Sequence, residues 1–141
     1  MIMALNAGCA GYAGAPGLVE VDPRLEKYVD KYLDAKVASG PHLRNVNYRM
    51  RVIFEKQAKP TRLGVCHRQS DRTIRVIGID PGHWVVMSEA SRYALMYHEM
   101  GHCDLDLDHG QGGAIMDAIL IQGVYFQRNY DKLVKQLFGG Y

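Results

Sequence analysis

The chain has 141 residues, 17 of them Lys or Arg and 15 Asp or Glu, with a formal net charge of +2. This length suits one domain with a sizeable core, and the apolar fraction of 48% is ordinary for a globular protein. The small net charge and the lack of a Lys/Arg run give no sign of nucleic-acid binding. No apolar stretch reaches the roughly 18 residues of a membrane-spanning helix, so we predict no transmembrane span.

Residues 1–21 are predicted to form a flexible leader, because they are small, apolar and rich in Gly and Ala. Within this leader, residues 5–9 (LNAGC) resemble the end of a bacterial lipoprotein signal, in which small residues precede a lipidated cysteine. A lipid anchor at Cys9 would indicate an exported or cell-envelope protein. The alternatives are an unstructured tail with a free Cys9 thiol, and a cytoplasmic or phage-associated protein.

A folded domain is predicted for residues 22–141, and it begins with a helix. Asp22 can cap this helix, Pro23 suits its first position, and Gly40 before Pro41 ends it. Apolar residues recur at helical spacing and define one buried face: Leu25, Tyr28, Val29, Tyr32, Leu33 and Val37.

Three short strands are predicted after the helix. Residues 46–54 alternate between apolar and polar side chains, which is typical of a half-buried strand. Residues 63–67 and 73–79 flank a polar turn and are predicted to pair as a hairpin. A small twisted mixed sheet with helices packed on it gives an α+β fold.

Residues 88–105 are predicted to form the next helix, and they contain the sequence HEMGH at residues 98–102. Ser88 can cap this helix, and the strong helix formers Ala, Leu and Met follow. The five-residue sequence matches the pattern H-E-x-x-H of zinc hydrolases.

The physical basis of this pattern is helical spacing. Residues four apart lie on the same helix face, so His98 and His102 can hold one zinc ion from one side. Glu99 lies one step round the helix, where its carboxylate can take a proton from a water on the metal without binding the metal itself. The expected cofactor is therefore one catalytic Zn²⁺.

A catalytic zinc site needs a third protein ligand and an open position for water. Acidic and glycine residues after the motif predict that the helix ends and the chain turns back. His109 is the preferred third ligand, because imidazole is the more usual partner of such a pair. Asp108 is the alternative, since carboxylates also bind zinc, and the residue that does not bind could orient an imidazole.

Residues 122–138 are predicted to form the last helix, which ends at Gly139. Its predicted buried positions are Val124, Tyr125, Leu133, Val134, Leu137 and Phe138. Two cysteines remain besides the one in the leader. Cys66 and Cys103 either form a disulfide, which would persist only in an oxidising compartment, or are two buried thiols.

The H-E-x-x-H motif, a third ligand on the following loop and a later methionine in a turn resemble the metzincin metallopeptidases. In that family the motif continues as H-E-x-x-H-x-x-G-x-x-H, and a methionine turn (the Met-turn) packs beneath the metal site. Residues 114–116 (AIM) resemble this turn, so Met116 would be its methionine.

The chain departs from the metzincin pattern at two positions, because Leu105 stands at the glycine position and Asp108 at the third histidine. With one more residue in the loop, Asp106 takes the bend and His109 becomes the ligand; Asp tolerates left-handed backbone better than most residues. This longer form resembles small bacterial metallopeptidases of the H-E-L-G-H-C type, many of them exported or lipid-anchored. A metal ligand at Asp108 would instead resemble the snapalysin group.

The resemblance implies an N-terminal helix, a zinc helix, a Met-turn and a C-terminal helix around the sheet. It also implies a zinc endopeptidase that cleaves peptide or protein substrates with Glu99 as general base, and we expect a monomer. Residues 73–79 would be the edge strand that binds the extended substrate. Two other functions stay open: a non-catalytic zinc-binding surface or virion-associated protein, and a hydrolase of a non-peptide amide.

Overall fold

The structure is a computed structural model that describes residues 18–40, 49–68 and 74–139. Its elements in chain order are β1 (Leu18–Val21), α1 (Glu26–Ser39), β2 (Arg49–Phe54), β3 (Gly64–Arg68), β4 (Ile74–Ile79), α2 (Pro81–Val86), α3 (Glu89–Cys103), a 3-10 turn (Ala114–Met116), α4 (Gly123–Arg128) and α5 (Tyr130–Gly139). Among these helices, none has the length and hydropathy needed to cross a membrane.

The strands form one four-stranded mixed sheet in the order β1-β2-β4-β3. Strands β1 and β2 are parallel, as are β2 and β4, whereas β3 and β4 pair antiparallel as the predicted hairpin. This sheet and the helices around it are consistent with the predicted α+β class. The predicted role of residues 73–79 as the edge strand is wrong, because β4 is paired on both sides. The edge of the sheet on that side is β3.

Helices α1 and α3 supply half of the buried aromatic residues in the described part of the chain. In α1, Tyr28 and Tyr32 are buried, and Tyr32 meets Tyr97 of α3 edge to face with ring centroids 5.4 Å apart. Tyr28 meets Trp84 of α2 in the same way at 4.9 Å. Such pairs add to the free energy gained by burying the rings. The tyrosine stripe is therefore a packing feature, as its spacing predicts, although Val37 at its end is 44% exposed.

The N-terminal part of the domain differs from the prediction. Residues 18–21 belong to β1, so the predicted flexible leader is wrong for its last four residues; Cys9 and the rest of the leader lie outside the described residues. The backbone N–H of Asp22 donates to Val52 O at 2.9 Å and continues the sheet pairing. Helix α1 consequently begins only at Glu26, after a turn. Residues 46–48 of the predicted strand also lie outside the described residues.

Two further helical segments differ from the sequence-based expectations. No helix is predicted directly before Ser88, but Asp80 caps the short helix α2 and its carboxylate accepts the N–H of His83 at 3.0 Å. The predicted last helix is divided into α4 and α5 at Asn129. In α4, Phe126 is buried, whereas the predicted positions Val124 and Tyr125 are exposed.

Candidate functional site

Helix α3 carries the H-E-x-x-H motif in its buried half. The Ser88 hydroxyl accepts the N–H of Ser91 at 3.2 Å, which caps the helix as predicted. Residues 94–101 are all buried, so the motif lies between the sheet and the later helices. A helix that is enclosed in this way holds its side chains in fixed positions, which a metal site requires.

The two motif histidines have the same protonation pattern. His98 Nδ1 lies 2.6 Å from Ile115 O, and His102 Nδ1 lies 2.7 Å from Leu107 O. Because a carbonyl oxygen can only accept, each Nδ1 carries the proton and each Nε2 presents a lone pair. These Nε2 atoms are 3.2 Å apart. Two nitrogens bound to one tetrahedral zinc at 2.0–2.1 Å would be separated by about 3.3 Å, so the pair fits this metal.

His109 completes a cluster of three imidazoles, whose ligand atoms all lie within 4.8 Å of one another. The three histidines are therefore close enough to bind one metal ion. Asp106 produces the necessary chain reversal, with a left-handed backbone angle φ of 60° at the bend. Asp108 is not a member of the described cluster; its side chain is exposed, and its Oδ1 lies 3.5 Å from Arg68 Nη1.

Met116 lies in a tight turn that packs against the motif helix. It is fully buried, and a Cβ added to Gly101 would collide with its sulfur atom. A hydrogen bond joins this turn to the loop that carries His109, because the Gly110 N–H donates to Met116 O at 3.0 Å. Its neighbour Ile115 supplies the carbonyl that fixes the His98 ring. The turn thus positions both the His98 ring and the loop that carries His109.

Glu99 is a buried carboxylate that lines the cleft. It is 4% exposed, and no hydrogen bond or ion pair links its carboxylate to the residues that the structure describes. Burial raises its pKa to about 8, against a smaller opposite effect of the Arg62 charge. A buried carboxylate without a partner costs folding free energy, which is typical of a functional group.

Burial has the opposite effect on the pKa values of the two motif histidines. It lowers the pKa of His98 to about 4 and also lowers the pKa of His102. Both rings therefore stay neutral at physiological pH, and neutral imidazole is the form that binds a metal.

Two arginines that the sequence analysis did not identify hold the end of α3. Arg68 of β3 donates to the carbonyls of His102 and Leu107, each at 3.0 Å. Arg75 of β4 donates to Cys103 O at 2.8 Å. A cation at a helix C-terminus is stabilising, and Arg68 also fixes the carbonyl that orients the His102 ring. Alternating cationic residues on strands are common, so the sequence alone contains no specific signal for this role.

A disulfide and a buried ion pair hold the same end of α3 in place. Cys103 is joined by a disulfide to Cys66 of β3, with Cα atoms 5.6 Å apart. On the other side, the buried carboxylate of Asp104 pairs with Lys36 at 2.8 Å and accepts the Tyr32 hydroxyl at 2.7 Å. The sheet and α1 are thus both attached to the residues that directly follow the second histidine.

The site opens into a cleft of about 1070 Å³. Its floor contains His98, Glu99, His102 and His109, and Gly64 of the edge strand β3 lies in its wall. A Cβ added to Gly64 would lie 3.2 Å from Glu99 Oε1, so the backbone of β3 passes close to this carboxylate. The cleft therefore brings the backbone of β3 close to Glu99 and the three imidazoles.

Comparison with known proteins gave no family model, no curated protein and no solved structure that matches this chain. A functional assignment therefore depends on the three histidines, on Glu99 and on the cleft around them.

Proposed function

We propose that this protein is a zinc-dependent peptidase. The observation that carries the proposal is the position of Glu99: a buried carboxylate that has no partner among the described residues lies next to a three-histidine cluster and lines an open cleft. A purely structural metal site needs no such carboxylate, and a structural zinc is usually enclosed by four protein ligands. Three ligands and an open side are typical of catalytic zinc.

His98, His102 and His109 would hold the zinc ion through their free ring nitrogens. Bound there, zinc would supply Lewis acidity and lower the pKa of a water molecule towards neutrality. Glu99 would accept a proton at its Oε atom and later donate it to the leaving amine. The carbonyls of Ile115 and Leu107 would keep the imidazoles in the metal-binding tautomer.

Strand β3 is the proposed support for the substrate. It forms one edge of the described sheet, and its residues Gly64, Val65 and Cys66 line the cleft. An extended peptide could add to this edge by backbone hydrogen bonds, which bind any sequence and leave selectivity to the side-chain pockets. This geometry favours peptide hydrolysis over the hydrolysis of a small amide. In this proposal the family is metzincin-like, with Met116 as the methionine of the Met-turn.

We also propose that the protein acts in an oxidising compartment. The disulfide between Cys66 and Cys103 supports this location, since cytosolic thiol systems keep most cysteines reduced.

Cleavage of a diverse peptide mixture by zinc-loaded protein tests the proposal, with Glu99→Gln as the matched variant. We expect cleavage by the wild type, at least about 100-fold slower cleavage by the variant, and one zinc per chain in both. Asp108→Asn serves as the control, because it removes a cleft carboxylate that the proposal does not use. Zinc binding without cleavage by the wild type would instead favour the non-catalytic zinc protein.

A further inference from the structure

Two exposed cations of the cleft have side chains without a partner in the described part of the chain. Lys59 and Arg62 both line the cleft, and neither side chain has a hydrogen bond or ion pair within the described ranges. Arg68, the other cation of the cleft, is already bound to the carbonyls of His102 and Leu107. Lys59 and Arg62 are consequently the cleft cations that remain available to a ligand.

The loop that carries these cations is fixed to the rest of the fold. The His83 ring donates through Nε2 to Pro60 O at 2.6 Å, between the two cations. At the end of the loop, the N–H of Asp80 donates to Leu63 O at 2.9 Å. A cation on an anchored loop loses less conformational entropy when it binds an anion than one on a mobile loop.

Arg62 borders the part of the cleft that contains Glu99. It is two residues before Gly64, whose backbone passes close to Glu99 Oε1, and both Arg62 and Glu99 line the same cleft. A substrate group next to the scissile bond would therefore lie in the part of the cleft that Arg62 borders.

The cleft wall also contains apolar side chains. Leu95, Ile119 and Leu120 line the cleft, and Ile119 is 84% exposed. The cleft thus combines an apolar surface with a cationic one, which suits a ligand that carries both apolar groups and a negative charge.

We infer that the cleft selects peptides with a carboxylate beside the scissile bond, and that Arg62 is the main specificity-determining residue with Lys59 as a second cation. This inference rests on the proposed peptidase function. Arginine binds carboxylates through paired, charge-assisted hydrogen bonds, which an amide of the same shape cannot form. The carboxylate could belong to a Glu or Asp side chain or to the free C-terminus of the peptide.

Binding measurements test the inference without relying on turnover. Three sets of random acetylated heptapeptides would be titrated into the zinc-loaded Glu99→Gln protein: central Glu with an amidated C-terminus, central Gln with an amidated C-terminus, and central Gln with a free C-terminus. We expect one acidic set to bind on the order of tenfold more tightly than the amidated Gln set. The acidic set that binds more tightly than the amidated Gln set identifies the source of the carboxylate.

Arg62→Gln should abolish this preference, and Lys59→Gln should reduce it. The matched control is Arg128→Gln, because Arg128 is exposed and does not line the cleft. Equal binding of all sets, or a preference that survives Arg62→Gln, would overturn the inference. Acid-selective binding without cleavage by the wild type would overturn the peptidase proposal and keep the carboxylate site. Cleavage without a preference for acidic peptides would overturn the carboxylate site and keep the peptidase proposal.

Discussion

Gly101 and Met116 are in such close contact that the zinc-motif helix has no room for a Cβ at position 101. The glycine lies between the two motif histidines, and the methionine belongs to the turn whose neighbouring residue, Ile115, orients the His98 ring. The packing of Met116 against the helix and the orientation of the His98 ring are thus coupled through this one contact.

Gly101→Ala should therefore destabilise the fold, although alanine is the better helix former. We expect a loss of about 1–3 kcal/mol in the free energy of unfolding, because the extra methyl displaces Met116 from a filled core. Urea unfolding of the metal-free protein measures this loss. Gly139→Ala is the control, since a Cβ there meets no atom within 4 Å. Equal stability of the two variants would contradict the packing argument.

Glu99 should make the stability of the metal-free protein depend on pH. Its folded-state pKa of about 8 exceeds the ordinary 4.5, so the folded state retains a proton that the unfolded state releases. The stability that it contributes is complete below pH 4.5 and is lost as the pH rises through 8. Glu99→Gln, which stays neutral, should therefore gain in melting temperature over the wild type more at pH 8 than at pH 5.

Thermal melts of both proteins at several pH values between 5 and 8 measure this difference. The histidines titrate in both proteins, so their contributions cancel. Bound zinc should reduce the difference, because a nearby cation favours the charged carboxylate. A difference that does not change with pH would contradict the assignment of a raised pKa to Glu99.

His109 and Asp108 should differ in their effect on zinc affinity. His109 belongs to the three-histidine cluster, whereas the exposed Asp108 lies beside Arg68. We expect His109→Ala to weaken zinc binding by more than the 10–100-fold that is typical of losing an outer-shell partner, and Asp108→Ala by less. Competition with a chromogenic chelator measures both affinities. The opposite order would make Asp108 the third ligand.

Loss of the disulfide should destabilise the protein. The bond closes a segment with a sequence separation of 37, for which chain entropy alone gives about 4 kcal/mol. Cys66→Ser with Cys103→Ser should lower the free energy of unfolding by a comparable amount. Intact-mass measurement after alkylation without reductant should leave both cysteines unmodified in the unfolded wild type. Alkylation of both would show that the bond is absent.

Local sequence signals predicted much of this fold, because they depend on neighbouring residues. The Ser88 cap, the tyrosine stripe of α1 and the antiparallel strand pair all follow from short-range patterns. Asp106 at the bend likewise follows from a local property, the tolerance of Asp for left-handed backbone.

Predictions failed where a distant contact decided the outcome. Helix α1 begins late because the backbone of Asp22 pairs with β2, a partner that is remote in the sequence. Strand β4 became internal because β1 and β2 added to its other side, and hydrophobic alternation does not encode strand order.

The sequence by itself determined the chemistry of the candidate site: two imidazoles and a carboxylate at a spacing that a helix places together. Only the tertiary structure decided whether His109 or Asp108 lies with them, which strand borders the cleft, and that Arg68 and Arg62 line it. The physical reason is how far apart in the sequence the interacting residues lie. Spacing along one helix is fixed by local backbone geometry, whereas contacts between elements depend on how the whole chain packs.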